Sequence, residues 1–360
     1  MLKPIQKILF ISFSAGAGHK RAAEALFLSC KQKYPQIQTE HIDLLDYSNC
    51  FFKKITASLY HFSVKYFPAI YGLAYKATNH YFFADLLNKL SGILRLNNLK
   101  LHSFVKNYSP DLIISTHFIV PAVVKDIVKS IPIDMVITDY GLHGVWLAPN
   151  VRNFYVAHEK IAHELQEKKI QAIATGLPVH PNFFSEKNIE ILKTKFDLRP
   201  KEKTILIMSG GFGLKDQTRL IKKITSSFSK INLLVISGKD NDKLYQKYKN
   251  IQTPPGVNYQ VIKFTDDIDE LIRICDIVIT KPGGITLAEC AYLNKKIILT
   301  EPIPGQEETN EKYFTQNKLA VKLQEKNITG QIRQLLELPE NKKSPTLSAN
   351  DLILNEALKN

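Results

Sequence analysis

Four short stretches carry residue types suited to an anionic or hydroxylic ligand. Ser12-Phe-Ser-Ala-Gly-Ala-Gly-His19 follows an apolar run and opens a helical pattern. Glycines there let backbone N–H groups approach a ligand, and a helix start favours an anion. His19 then either faces the ligand or merely caps the helix. Position 21 is Arg, so the complete dinucleotide fingerprint is absent. Thr280-Lys-Pro-Gly-Gly-Ile-Thr-Leu-Ala-Glu289 repeats the arrangement: Gly283 and Gly284 turn tightly, Thr286 lies in the first helical turn, and Glu289 is one turn deeper. Such a turn offers N–H groups and a hydroxyl to phosphates and a carboxylate to ribose hydroxyls. Glu301-Pro-Ile-Pro-Gly-Gln-Glu-Glu-Thr-Asn310 and Ser209-Gly-Gly-Phe-Gly213, with Gly210 and Gly211, add two further loops at strand ends.

Ile137-Thr-Asp-Tyr-Gly-Leu-His-Gly-Val-Trp146 carries Asp139 and His143 past an apolar run. At a strand's carboxyl end, an Asp can deprotonate a hydroxyl or orient a histidine that does; an Asx turn is the plainer alternative. Trp146, the only tryptophan, either holds an apolar acceptor or fills a domain edge. Asp266-Asp-Ile-Asp269 contains Asp-x-Asp, a metal-binding pattern in some sugar transferases. Acids complementing a helix dipole explain it better here.

The elements that must position these loops are legible as apolar runs. Strands are predicted at residues 7–13, 37–43, 111–115, 133–138, 153–157 and 172–175, with a helix over 19–34. After a turn-rich break at 176–202, a second series starts: 204–209, 233–237, 259–263, 275–280 and 296–300. Strand–helix alternation implies parallel sheets, so two doubly wound α/β domains are expected, with a closing helix near 351–357.

The 360 residues are 44% hydrophobic and 23% charged, which excludes a disordered or disulfide-stapled chain. Four scattered cysteines read as small apolar residues in a reducing compartment. No run approaches the ~20 apolar residues of a spanning helix, so a cytoplasmic protein is expected. Its net charge of +14 suits an anionic partner. Residues 51–107 hold eight basic residues and one acid, and 51–84 hold eleven Phe and Tyr interleaved with lysines. Either these aromatics fill a helical insertion's own core, or Phe51, Phe52, Lys53, Lys54, Lys65 and their neighbours dock on an anionic membrane. The second reading is preferred. No nucleic-acid-binding motif accompanies the patch, and none is expected as a partner.

Ser-Ala-Gly-Ala-Gly-His19, Thr138-Asp-Tyr-Gly-Leu-His143, Thr175-Gly-Leu-Pro-Val179, Lys281-Pro-Gly-Gly284 and Pro302-Ile-Pro-Gly-Gln-Glu307 occur in this order. The series closely resembles the monogalactosyldiacylglycerol synthase and processive diacylglycerol glucosyltransferase family. That resemblance implies a GT-B fold of two Rossmann-like domains facing a cleft. Residues 1–180 would be the lipid-acceptor and membrane-docking domain, 181–340 the UDP-sugar-binding domain, and 341–360 the closing helix. It further implies inverting transfer of glucose or galactose from a UDP-sugar to diacylglycerol, with no cofactor and no essential metal, at the inner face of the cell membrane. By the same resemblance, Glu289 meets the ribose, while Gly283, Gly284 and Thr286 meet the diphosphate. Gln306, Glu307 and Asn310 would meet the donor sugar and backbone near Phe264 the uracil. Gly18 and the 209–211 loop join the donor set. His19 and Asp139 are the implied catalytic pair, with His143 and Trp146 on the acceptor side. A lipid I-type acceptor, or a nucleotide-sugar-binding regulator without turnover, are the alternatives.

Overall fold

The computed structural model describes residues 4–14, 16–49, 67–79, 99–125, 131–208, 216–239, 241–339 and 348–359. The chain forms two compact units. The first comprises Met1–Pro181, Ile303–Asn310 and Thr346–Asn360, and the second Asn182–Pro302 and Glu311–Pro345.

The first unit is built on a six-stranded sheet, β1 (Lys7–Ser12), β2 (Gln38–Asp43), β3 (Leu112–Ser115), β4 (Ile133–Val136), β5 (Asn153–Val156) and β6 (Ala172–Ala174). Every pairing is parallel, in the order β2-β1-β3-β4-β5-β6. Parallel sheets are covered on both faces, which is why β1 and β3 read as near-continuous apolar runs, whereas the edge strand β2 is largely polar. β1 shows the two-residue alternation directly. Leu9 and Ile11 pack with Leu101, Val105 and Ile113 on one face, and Ile8 and Phe10 with Leu26 and Cys30 on the other. Each such burial contributes about 1.5–3 kcal/mol.

The closing helix, Ala349–Ala357, completes the second of these faces with Ile353, Leu354 and Ala357. Its start is fixed by the buried Asn350, which donates to the Ser29 hydroxyl (2.7 Å) and the Val179 carbonyl (2.9 Å) and accepts from Val179 N–H (3.0 Å). Its end is held by Arg152, which donates to the Ala357 carbonyl and grips the buried Asp134 through two nitrogens at 2.8–2.9 Å.

The second unit has β7 (Thr204–Met208), β8 (Ile231–Ile236), β9 (Val257–Ile262), β10 (Ile277–Thr280), β11 (Lys296–Leu299) and the two-residue β12 (Val321–Lys322), all parallel, in the order β12-β11-β10-β7-β8-β9. Counted within the unit, this is the 3-2-1-4-5-6 order of dinucleotide-binding domains. Its core joins Ile205, Ile207, Leu233, Val235, Ile277 and Ile279 to Ile221, Ile328 and Ile332. The short β12 has no apolar run and was not expected from the sequence.

Candidate functional site

In each sheet the strand order reverses at one point, where loops diverge and leave a crevice beyond the carboxyl ends. In the first unit that point lies between β1 and β3. The loop after β1 leads into the helix Ala17–Lys33, whose N-cap, Gly16, offers no side-chain cap and whose first turn holds no acid. His19 and the half-buried Gly18 lie in that turn. The loop after β3 supplies Thr116 and His117.

His19 Nδ1 lies 2.8 Å from the Thr116 carbonyl oxygen and 3.0 Å from Thr138 Oγ1. The Thr116 hydroxyl donates back to the His19 carbonyl at 2.8 Å. A carbonyl only accepts, so Nδ1 carries the hydrogen, and in the neutral ring Nε2 is the nitrogen able to take a proton. Burial pushes the His19 pKa down to about 4, against smaller opposing effects of the Thr116 bond and the Asp43 charge. The ring therefore stays neutral near pH 7. His117 stands edge-on to it, ring centroids 4.7 Å apart. His117 Nδ1 accepts from Ile119 N–H at 3.2 Å, and burial holds this ring neutral as well. Trp146 is buried in the core beside Met135, Ile137 and Phe154, its ring 5.8 Å from that of His19.

One residue beyond Thr138, Asp139 is buried against the segment Ile303–Asn310. Asn310 Nδ2 donates to Asp139 Oδ1 at 3.1 Å, and Tyr140 N–H donates to Asn310 Oδ1 at 2.7 Å. Gly141 is required next, because a Cβ there would collide with the Thr309 side chain. Gly305, at φ +100°, takes the left-handed conformation, and a Cβ on it would stand 2.7 Å from Tyr75 Cγ. The Glu307 carboxylate is buried and accepts from Ile303 N–H at 2.8 Å, folding its own loop, while Gln306 is half-buried.

Tyr71 and Tyr75 reach this region from the helix Pro68–Ala77. Burial, reinforced by the charges of Asp139 and Glu307, raises Tyr71 to about 12. Burial, then Asp139, raises Tyr75 too, so both phenols remain protonated donors. His143 caps the 3-10 turn Gly144–Trp146 through Nδ1, and its Nε2–H donates to the Tyr75 carbonyl at 2.8 Å. Its ring thus ties that turn to the helix.

In the second unit, β10 ends into Gly283, the N-cap of the helix Gly284–Tyr292. No side chain caps it and no acid stands in its first turn, so its backbone N–H groups suit an anion. Thr286 is half-buried in that turn, and Glu289 is only 1% exposed. Phe264 is exposed, with the Lys239 ammonium 5.4 Å from its ring centre. The Asp-x-Asp acids are taken by lysines. Lys187 bonds Asp269 (2.6 Å) and Glu270 (3.0 Å), and Lys195 bonds Asp267 and Glu270. Among the described residues, no group of three or more His, Cys, Asp or Glu side chains could hold a metal ion.

Ser209, Gly210 and Gly211, like Phe51, Phe52, Lys53, Lys54 and Lys65, lie outside the described residues. Sequence reasoning passed over Thr116, His117, Tyr71 and Tyr75. For the first two a signal existed, since they follow β3 as Asp139 follows β4. The tyrosines were absorbed into the aromatic-rich segment, whose composition hides which faces turn inward.

Two family descriptions cover most of the chain: "Monogalactosyldiacylglycerol (MGDG) synthase" matches residues 19–179, and "Glycosyltransferase family 28 C-terminal domain" matches 204–357. A processive diacylglycerol beta-glucosyltransferase of Bacillus cytotoxicus is 30% identical, over 97% of this chain and 94% of its own. Among solved structures, MurG of Acinetobacter baumannii is similar with a TM-score of 0.58 at 14% identity, over 99% of this chain and all of that one. A UDP-GlcNAc 2-epimerase of Neisseria meningitidis, bound to UDP-GlcNAc, gives 0.61 at 15% identity, over 98% of this chain and all of that one. These likenesses identify the fold as GT-B. By its motifs, its two family matches and its near full-length relatives, the chain belongs to the monogalactosyldiacylglycerol synthase and processive diacylglycerol glucosyltransferase family.

Proposed function

We propose that this chain is an inverting glycosyltransferase that moves glucose from UDP-glucose to diacylglycerol at a membrane surface. The near full-length similarity to diacylglycerol β-glucosyltransferases carries the reading and favours glucose over galactose. The uncapped, acid-free helix start at Gly284 supports a diphosphate there, with Glu289 for the ribose. Gln306 and Glu307 are proposed sugar contacts. The acceptor oxygen attacks the anomeric carbon as the bond from that carbon to the UDP oxygen breaks. The hydroxyl proton passes to Asp139 or to His19 Nε2, and UDP departs with the bonding electrons. Backbone N–H groups at the helix start stabilise the charge growing on UDP.

Membrane docking is supported by the helix Pro68–Ala77. Tyr71, Gly72 and Tyr75 face inward, whereas Phe67, Ile70 and Leu73 are 48%, 62% and 68% exposed. Lys76 is exposed beside them, in a stretch of strongly positive charge. Such a face suits the headgroup boundary of an anionic bilayer. Among the described residues, no helix is long and apolar enough to cross a membrane.

The test is transfer of radiolabelled sugar from UDP-glucose, UDP-galactose or UDP-GlcNAc to vesicles holding diacylglycerol or a polyprenyl-linked acceptor, with product chromatography. Labelled glucosyl-diacylglycerol is the expected product. Transfer only to the polyprenyl acceptor would identify the lipid I-type alternative, and UDP binding without transfer a regulator.

A further inference from the structure

We propose that Asn310 is a positioning residue for Asp139, fixing the carboxylate that receives the acceptor proton. The inference rests on the catalytic reading of Asp139 given above.

The orientation of the Asn310 amide is determined by its neighbours. The Tyr140 N–H can only donate, so the amide oxygen must face it, at 2.7 Å. The amide nitrogen is thereby turned toward Asp139, where Oδ1 accepts at 3.1 Å. One side chain thus spans two consecutive residues at the strand end, Asp139 through its carboxylate and Tyr140 through its backbone. The bond to Oδ1 sets the rotation of the carboxylate about its Cβ–Cγ bond, and so the direction in which Oδ2 points.

Asn310 reaches this position because its segment is held in register. Gly141 lets Thr309 come against the backbone two residues beyond Asp139, and Gly305 lies against Tyr75. Both Asn310 and Asp139 are buried, and a buried hydrogen bond to an ionised group is worth more than an exposed one. The two bonds of Asn310 use one of its two Nδ2 hydrogens and one of its two Oδ1 lone pairs, and both serve the strand end.

The groups bearing on Asp139 from the packed elements are Tyr71 and Tyr75 on Pro68–Ala77 and Glu307 in the segment itself. His143 is bonded to the Tyr75 carbonyl, and His158 to the Tyr140 carbonyl. Both tyrosines are protonated and both histidines are pushed toward neutrality by burial. A donor on the carboxylate favours its ionised form, so removing that donor moves its protonation to higher pH.

The experiment compares Asn310→Ala, Asn310→Asp, Asp139→Asn and the Asp139→Asn/Asn310→Ala pair in the full chain, with UDP-glucose and diacylglycerol vesicles across pH. For Asn310→Ala, kcat should fall about 10- to 100-fold while KM for UDP-glucose stays within about threefold. The acidic limb of kcat/KM should move up by about one pH unit, since the base has lost a donor that favours its charged form. Asn310→Asp keeps the shape and the acceptor for Tyr140 N–H but sets a second carboxylate against the first, so its limb should move further. It also carries the test if the alanine variant melts early. The double variant should be no slower than Asp139→Asn alone.

A tenfold or larger rise in KM for UDP-glucose at unchanged kcat and pH profile, or losses that add in the double variant, would overturn the inference while leaving Asp139 catalytic. A fully active Asp139→Asn would overturn the catalytic reading of Asp139, and this inference with it.

Discussion

The Thr116 carbonyl oxygen stands 2.8 Å from Nδ1 of His19, joining the loop after the third strand to the helix after the first. The bond fixes the tautomer and leaves Nε2 basic. If Nε2 assists in removing the acceptor proton, His19→Ala should lower turnover about 10²–10⁴-fold. UDP affinity should be nearly unchanged, since the proposed nucleotide contacts lie on the second unit. A calorimetric titration with UDP beside a vesicle assay separates these effects, and near-native turnover would remove His19 from the chemistry.

The same burial makes stability depend on pH. His19 titrates near 6.5 in the unfolded chain and near 4 in the folded one. Between those values the unfolded chain binds more protons, so stability is full above about 6.5 and is lost as pH falls toward 4. The loss should be on the order of 1–3 kcal/mol, with His117 adding in the same direction. Thermal melts at pH 7 and pH 4.5 should show the drop, and His19→Gln should make it smaller. A melting temperature that is flat across this range for the unsubstituted chain would contradict the neutral ring.

On the second unit, Glu289 sits within the helix that begins at Gly284. As a ribose ligand it would contribute a charge-assisted bond worth about 1.5–3 kcal/mol, so Glu289→Ala should weaken UDP binding roughly ten- to a hundredfold. Because the side chain is buried, a melt must accompany the titration. A folded variant with native UDP affinity would exclude this role.

Ile70 and Leu73 point outward from their helix, so Ile70→Ser with Leu73→Ser should leave the melting temperature within a degree or two. The same pair should reduce co-sedimentation with lipid vesicles even at high salt, because the lost part is apolar burial. Replacing Lys53, Lys54, Lys65 and Lys76 by Gln should act only on anionic vesicles at low salt, each lysine contributing on the order of 1 kcal/mol. Full sedimentation of both sets would put the docking surface elsewhere.

Most of the architecture was legible because buried parallel strands are continuous apolar runs, and 7–13 or 275–280 allow little else. The helix at 284–292 was legible for a related reason, a glycine pair closing a strand. β12 was not, since two residues, Val321 and Lys322, carry no period. Neither was the Asn310–Asp139 bond. Its residues are 171 positions apart, and which polar side chain lands on which carboxylate depends on the register between the loop holding Asp139 and the first turns of the helix Gln306–Gln316. The motif containing Asn310 signals polar residues after a strand end, but only the Tyr140 N–H and the Asp139 carboxylate say where its amide goes.

The helix Ala349–Ala357 has a consequence for biosynthesis. It covers Ile8, Phe10, Leu26 and Cys30, all of which leave the ribosome more than three hundred residues earlier. Throughout translation of the second unit, that face of the first sheet lacks its cover, and Val179 lacks the Asn350 amide. The second unit, interrupted only by the short excursion at 303–310, can mature first. Order of synthesis and order of completion are therefore reversed. A nascent chain stalled before residue 349 would display an apolar surface that chaperones bind, whereas one released after 357 would not.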